Sequence, residues 1–129
     1  MFMVGVIWFV QVVHYPLLGH VGETEFPSYE ALHIKQTGKV VMPAMVLEFS
    51  AACLLALEPA SANHHLLSTT GFALLLFIWA STALLQVPAH TILRQGFHEP
   101  THRKLVRTNW IRTLLWTTRA GLALAMFYP

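Results

Sequence analysis

The chain has 129 residues, of which 55% are hydrophobic and only 11% charged, and its mean hydropathy is +0.54. Soluble domains carry about 25% charged residues, so this composition argues against an ordinary soluble globule and indicates a protein that faces the lipid bilayer. The net charge of +2 comes from few residues and gives no reason to expect a nucleic-acid partner. At this length a single transmembrane domain over residues 1–129 is expected.

Four apolar segments predict an all-α fold, an integral membrane four-helix bundle. The segments are residues 2–18, 40–57, 66–87 and 105–128. Spanning about 30 Å of hydrocarbon takes roughly 20 helical residues, so the last two are long enough and the first two slightly short. Their continuous apolar character favours helices over the alternating strands of a membrane barrel. The first segment has no basic stretch before it, so we expect no signal peptide and a natural first helix that starts further upstream.

The connecting segments differ in charge, which predicts the topology. Residues 19–39 and 88–107 together carry six lysines and arginines, whereas residues 58–65 carry none. By the positive-inside rule, both long loops are expected in the cytoplasm and both termini outside it, in a bacterial inner membrane. Within the first loop, Phe26–His33 has a Pro–Ser start and an apolar face. This pattern predicts a short interfacial helix between the first and second spanning helices.

Ionisable side chains inside the apolar segments are the main functional signal. Glu48 and Arg119 lie at depths where a charge costs roughly 2.5–3.5 kcal/mol on insertion scales. Residues of this kind face the interior of a bundle, so Glu48 is expected to pair with Arg119 or with Arg112. Further polar side chains fall near the cytoplasmic ends of the predicted helices: Gln11, His14, His33, Gln86, His90 and Asn109.

Three interpretations of this polar layer stay open on the sequence alone. In the first, Glu48 pairs with an arginine, and the amides and hydroxyls only hold the helices together. In the second, a haem iron or a first-row divalent metal ion is bound by His14, His33, Glu48 and His90. In the third, a chain of glutamate and histidine side chains beside Arg112 handles protons or anions.

Two classes of function follow from these interpretations. The first is a membrane protein that uses the His/Glu layer for metal or haem binding with a redox role. The second is a non-catalytic accessory subunit that docks onto a larger membrane protein complex. The convergence of polar residues from four helices favours the first class, and the lack of a catalytic motif such as HExxH favours the second. His14 lies deepest in an apolar helix and is therefore the histidine that we expect to be central to any metal site.

The two halves of the chain show a weak internal repeat. Trp8 is followed by Pro16 at the end of the first segment, and Trp79 by Pro88 at the end of the third. Each proline precedes a loop that contains an aromatic residue and then a histidine. Two helix pairs related by an axis along the membrane normal produce such a pattern, and so does chance.

A family resemblance rests on the first two segments. Its motifs are Trp8-Phe9, His14-Tyr15-Pro16-Leu17, then Phe26, Tyr29-Glu30, His33 and Pro43-Ala44-Met45. They resemble those of small bacterial four-helix membrane proteins and, more distantly, of the HemJ-type protoporphyrinogen oxidase and CopD-like group. The resemblance implies a four-helix bundle and, for the HemJ-type proteins, a haem. However, the haem histidine of that group precedes the Trp-Phe pair, and its third-helix lysine has no counterpart here, so no ligand is carried over.

Overall fold

The computed structural model describes residues 1–58 and 62–127, and over those residues the chain forms four helices and no strand. The helices are α1, Phe2–Leu18; α2, Phe26–Leu57; α3, which runs from Ala62–Ser81 through Thr82–Gln86 to Val87–Leu93; and α4, Glu99–Ala125. The predicted all-helical class and the number of helices are therefore confirmed. The last three helices begin earlier than predicted, and the end predicted at residue 128 lies outside the described residues.

Helix α2 is a single helix of 32 residues. The separate interfacial helix predicted over Phe26–His33 is therefore wrong, because these residues form the first turns of α2. Pro27 lies in the first turn, where a missing backbone N–H breaks no helical hydrogen bond. The polar residues that suggested a loop, Lys35 and Lys39 among them, are good helix formers and continue the helix. At 1.5 Å per residue α2 is about 48 Å long, well beyond the thickness of the hydrocarbon layer.

Helices α1 and α3 each contain one π-helical turn just before a proline. The turn Val10–His14 precedes Pro16, and the turn Thr82–Gln86 precedes Pro88. A proline inside a helix lacks a donor and its ring collides with the preceding turn, and a wider turn relieves that strain. Both turns carry a buried glutamine into the bundle, Gln11 in α1 and Gln86 in α3.

The structure also supports the internal repeat. Helix α2 follows α1, and helix α4 follows α3. Both α2 and α4 have a proline at their second residue, Pro27 and Pro100. Each half of the chain is thus a helix with a π turn and a proline, a short loop, and a second helix with a proline in its first turn. The likeness of the halves extends from the sequence to the backbone.

Two apolar cores form the interior of the bundle. The core farther from the 19–25 loop contains Met3, Ile7, Met45, Ala52, Leu75, Ile78 and Trp116. The core nearer that loop contains Val10, Tyr15, Leu18, Phe26, Ala89, Leu93 and Leu105. Helix α4 packs against α1 and α3, and α2 packs chiefly against α3. Buried polar side chains, among them Gln86, Asn109 and Thr113, accompany these cores in the middle of α3 and α4.

Large apolar side chains cover much of the outer surface of the bundle. Phe26–Leu57 and Asn63–Leu93 are long and apolar enough to cross a membrane, and only 11% and 28% of their most apolar windows are buried within the protein. Large side chains such as Leu47, Phe77 and Leu84 are instead 71%, 65% and 72% exposed. A core helix of a soluble protein would have these side chains inside.

The packing predicts a large difference between two leucines of the same helix. Leu75 is completely buried, whereas Leu84 is 72% exposed. We expect Leu75→Ala to lower the free energy of unfolding by about 2–5 kcal/mol, because it leaves a cavity in the core. Leu84→Ala should change it by less than about 0.5 kcal/mol. The free energy of unfolding of each variant is measured in detergent micelles. Equal losses of stability in the two variants would contradict the described packing.

Candidate functional site

Glu30 is the only acidic or basic residue that is buried within the described part of the chain. It lies one turn into α2 and its side chain has no exposed surface. One carboxylate oxygen, Oε1, accepts a hydrogen bond from Nδ1 of His90 on α3. The other oxygen, Oε2, is buried and has no hydrogen-bond partner among the described residues. A buried carboxylate oxygen without a partner is costly, and an ion that the structure does not contain is one explanation for it.

His33 and His90 converge on this carboxylate. One possible ligand atom from each of Glu30, His33 and His90 can be chosen so that all three lie within 4.8 Å of one another. Glu30 and His33 are three residues apart on α2 and therefore share a helix face. A Glu-x-x-His pair on one helix, completed by a ligand from another helix, is a recurrent way to bind metals in helical bundles. The predicted ligands do not include Glu30, although its spacing from His33 is visible in the sequence.

His14 lies beside the cluster rather than in it. Its Nε2 is 2.8 Å from Nδ1 of His33, and the two rings stack with their centroids 4.4 Å apart. Thr37 places its hydroxyl 3.1 Å from the same His33 nitrogen. His33 therefore has its Nδ1 held by neighbours and keeps Nε2 for another partner. A histidine ligand is usually oriented in this way by a hydrogen bond to its second nitrogen. The structure thus gives His14 a supporting position.

A chain of hydrogen bonds leads from the cluster to a positive charge. The Oη atom of Tyr15 is 3.0 Å from Nε2 of His90, and Nη2 of Arg112 donates to the same Oη over 3.3 Å. Because a guanidinium can only donate, Tyr15 accepts from Arg112 and can donate its own proton to His90. His90 in turn donates through Nδ1 to Glu30. The chain contains one residue from each of the four helices.

Neutral side chains complete the environment of Arg112. Its Nε donates to Oδ1 of Asn109 over 2.9 Å, and its Nη1 donates to the hydroxyl of Thr82 over 3.4 Å. Asn109 is fully buried and donates to Oε1 of Gln11 over 2.9 Å, while Gln11 donates to the carbonyl of Val106. The predicted polar residues Gln11, Asn109 and Arg112 therefore lie in one connected network.

Gln86 occupies a neighbouring part of the same layer. Its Oε1 accepts from the hydroxyl of Ser81 over 3.2 Å, and its Nε2 donates to the hydroxyl of Thr108 over 3.3 Å. Both of its polar atoms are thus satisfied between α3 and α4. This explains how an amide that is 2% exposed is tolerated there.

Glu48 lies elsewhere, in a separate ion pair. Its Oε2 is 3.1 Å from Nη1 of Arg119, and the guanidinium of Arg119 also lies 5.5 Å from the ring centre of Trp116. Glu48 is fifteen residues beyond His33 on the same helix, which separates them by about 22 Å. The set His14, His33, Glu48 and His90 that was predicted to bind a metal is therefore not assembled. The carboxylate that lies beside His33 and His90 is Glu30. It is helical because α2 begins at Phe26, whereas the prediction placed the start of this helix at residue 40.

Comparison of the chain with protein-family models, with curated proteins and with solved structures finds no significant match in any of the three. The resemblance to the HemJ-type and CopD-like group therefore stays a prediction.

The Glu48–Arg119 pair predicts strong coupling in a double-mutant cycle. Glu48→Gln or Arg119→Gln alone leaves a mostly buried charge without its partner, which is the costly state. We expect the double variant to regain about 1–3 kcal/mol relative to the sum of the single variants, as measured by unfolding in detergent.

The pair Glu99–Arg103 is the matched control for that cycle. Its atoms are as close, at 2.9 Å, but the two side chains are 66% and 70% exposed. Water screens such a pair, so its coupling should stay near about 0.3–0.5 kcal/mol. Equal coupling in the two cycles would show that Glu48 and Arg119 are not shielded from solvent.

Proposed function

We propose that this protein is an integral membrane protein that binds one first-row divalent transition-metal ion between Glu30, His33 and His90. The observation that carries the proposal is the buried Oε2 of Glu30, which has no hydrogen-bond partner among the described residues although two imidazoles lie beside it. A cation at this point would satisfy that oxygen and compensate a carboxylate that is removed from solvent. Imidazole and carboxylate ligands together suit iron, zinc and their neighbours in the first row.

The surrounding hydrogen bonds fit the needs of such an ion. His90 would bind the ion through Nδ1, the nitrogen that contacts Glu30, and its ring proton would then lie on Nε2, within hydrogen-bond distance of the Tyr15 hydroxyl. His33 would bind through Nε2, because its Nδ1 is held by His14 and Thr37. Partners of this kind fix the orientation of metal-binding histidines and their affinity. Three protein ligands also leave coordination positions for water or a substrate, which is the arrangement of a catalytic rather than a structural site.

The distribution of apolar and basic residues supports a position at the cytoplasmic edge of a membrane. The outward leucines and phenylalanines would face acyl chains. Six lysines and arginines lie in the half of the bundle that contains Glu30. They are Lys35, Lys39, Arg94, Arg103, Lys104 and Arg107. By the positive-inside rule this half faces the cytoplasm. Glu30 lies only four residues after the start of α2, so cytoplasmic ions would reach the cluster without crossing the membrane.

The metal proposal predicts a specific loss on mutation. Protein purified in a neutral detergent should contain about one metal ion per chain by elemental analysis, and Glu30→Gln should remove it because a carboxylate ligand is lost. His14→Ala should weaken binding by about 10–100-fold, as expected when the partner of a ligand is removed. His65→Ala, at an exposed histidine in the first turns of α3, is the control and should bind as the wild type does. Equal metal content in wild type and Glu30→Gln would refute the site, and a Soret band would instead identify haem.

The topology is tested separately by labelling single cysteines in a Cys53→Ser background. Gln95 and Glu58 are both exposed, at opposite ends of the bundle. A cysteine at position 95 should react with a membrane-impermeant reagent only from the cytoplasmic side, and a cysteine at position 58 only from the outside. The reverse pattern would place the Glu30 cluster on the outer side.

The hydrogen-bonded chain favours proton handling as a second candidate function. Tyr15 and His90, which can each donate and accept a hydrogen bond, link the guanidinium of Arg112 to the carboxylate of Glu30. A proton passed from Tyr15 to Nε2 of His90 would be matched by one passed from Nδ1 to Glu30. A wild-type protein that contains no metal would favour this function over the first.

A further inference from the structure

A cavity of about 310 Å³ lies inside the bundle beside the polar layer. Its polar end is formed by Tyr15, His33, His90 and Arg112. The rest of its wall is mostly apolar and includes Met3, Ile7, Met45 and Trp116, with Thr37, Thr82, Gln86, Thr91 and Arg94 among the remaining lining residues. Pockets that bind small molecules are typically about 300–1,000 Å³ in volume, mostly apolar, with a few polar groups that orient the ligand. The cavity fits the lower end of that description.

The cavity reaches the outer surface between α2 and α3. Met42 on α2 and Val87 on α3 line it, and they are 49% and 54% exposed. In a membrane this surface would adjoin acyl chains rather than water. A lipid-soluble molecule would therefore have a direct path from the bilayer to the polar end.

Two arginines line the cavity: Arg94 is exposed, whereas Arg112 is half-buried. The hydrogen-bond partners of Arg112 within the described residues are all neutral. They are the oxygens of Tyr15, Thr82 and Asn109. Arg119 on the same helix differs, because it has the carboxylate of Glu48. A guanidinium in an apolar setting binds carboxylate or phosphate groups strongly, since its donors match their oxygens.

We propose that this cavity binds a single-chain amphiphile whose anionic head group contacts Arg112 and whose apolar tail extends outward between α2 and α3. Tyr15 and the two histidines would supply further hydrogen bonds to the head group. The proposal goes beyond metal binding and requires no metal ion, although the two sites share His33 and His90. A bound ion would add positive charge near the head group and strengthen its binding.

Gly38 offers a way to close the cavity without disturbing the fold. It lies within α2, lines the cavity, and a Cβ atom built on it would meet no atom within 4 Å. A leucine at this position would occupy space that the ligand needs, and replacing a helical glycine also favours the helix. Gly121 in α4 has equally open surroundings but does not line the cavity, so Gly121→Leu is the matched control.

The test uses the full chain in dodecyl maltoside, treated with EDTA, and measures equilibrium binding of radiolabelled oleate. We expect saturable binding of one oleate per chain, and at least tenfold weaker binding of oleyl alcohol, which has the same chain without the charge. Arg112→Gln should weaken oleate binding at least tenfold. Gly38→Leu should do the same, whereas Gly121→Leu should bind as the wild type does.

Three results would overturn the proposal: no saturable binding, equal affinity for oleate and oleyl alcohol, or unchanged binding by Gly38→Leu. Because Gly38→Leu is expected to fold, its result does not depend on the stability of the Arg112 variant. Glu30→Gln separates this proposal from the metal site. It should lose the metal and still bind oleate, so either proposal can fail alone.

Discussion

Burial of the Glu30 carboxylate is the constraint on which the rest of the site depends. A side chain with no exposed surface must have its charge compensated from within the protein. His90 and Tyr15 link Glu30 to the guanidinium of Arg112, and the four side chains of this chain come from the four helices. The hydrogen bonds therefore set how the helices meet, as well as the chemistry of the site. Oε2 has no hydrogen-bond partner among the described residues, and the proposed cation would supply one.

The irregular turns of α1 and α3 help to bring the network together. Each π turn widens the helix ahead of a proline and turns a glutamine inward, Gln11 in one helix and Gln86 in the other. Gln11 accepts a hydrogen bond from the amide of Asn109, and the carbonyl oxygen of that amide accepts one from Arg112. Without the extra residue of the π turn, the side chains beyond it would rotate away from these partners. Two prolines at corresponding positions thus shape one polar layer, and this gives the internal repeat a structural role.

The helical class and the number of helices could be predicted because long apolar runs leave few alternatives in a chain of this composition. The start of α2 could not be predicted from hydropathy, since Lys35, Gln36 and Lys39 lower it while continuing the helix. Because the predicted helix began at residue 40, Glu30 fell in a predicted loop, and Glu48 was the only carboxylate predicted to be buried. His33 and His90 were among the predicted ligands, and the Glu30-x-x-His33 spacing could have completed the set. Which nitrogen of His33 is held by His14 depends on side-chain packing, and no pattern in the sequence indicates it.

A metal ion beside Glu30 and an anionic amphiphile in the adjoining cavity would share His33 and His90, so one polar layer would serve two ligands. X-ray absorption spectroscopy of the metal-loaded protein tests the central claim most directly, because scattering from imidazole rings reports how many histidines bind the ion. Two imidazoles and an oxygen ligand are expected in the wild type at about 2.0–2.2 Å, taking zinc as the reference ion. His33→Ala should show one imidazole fewer. An identical spectrum in the two proteins, or one without imidazole, would contradict the proposed coordination by Glu30, His33 and His90.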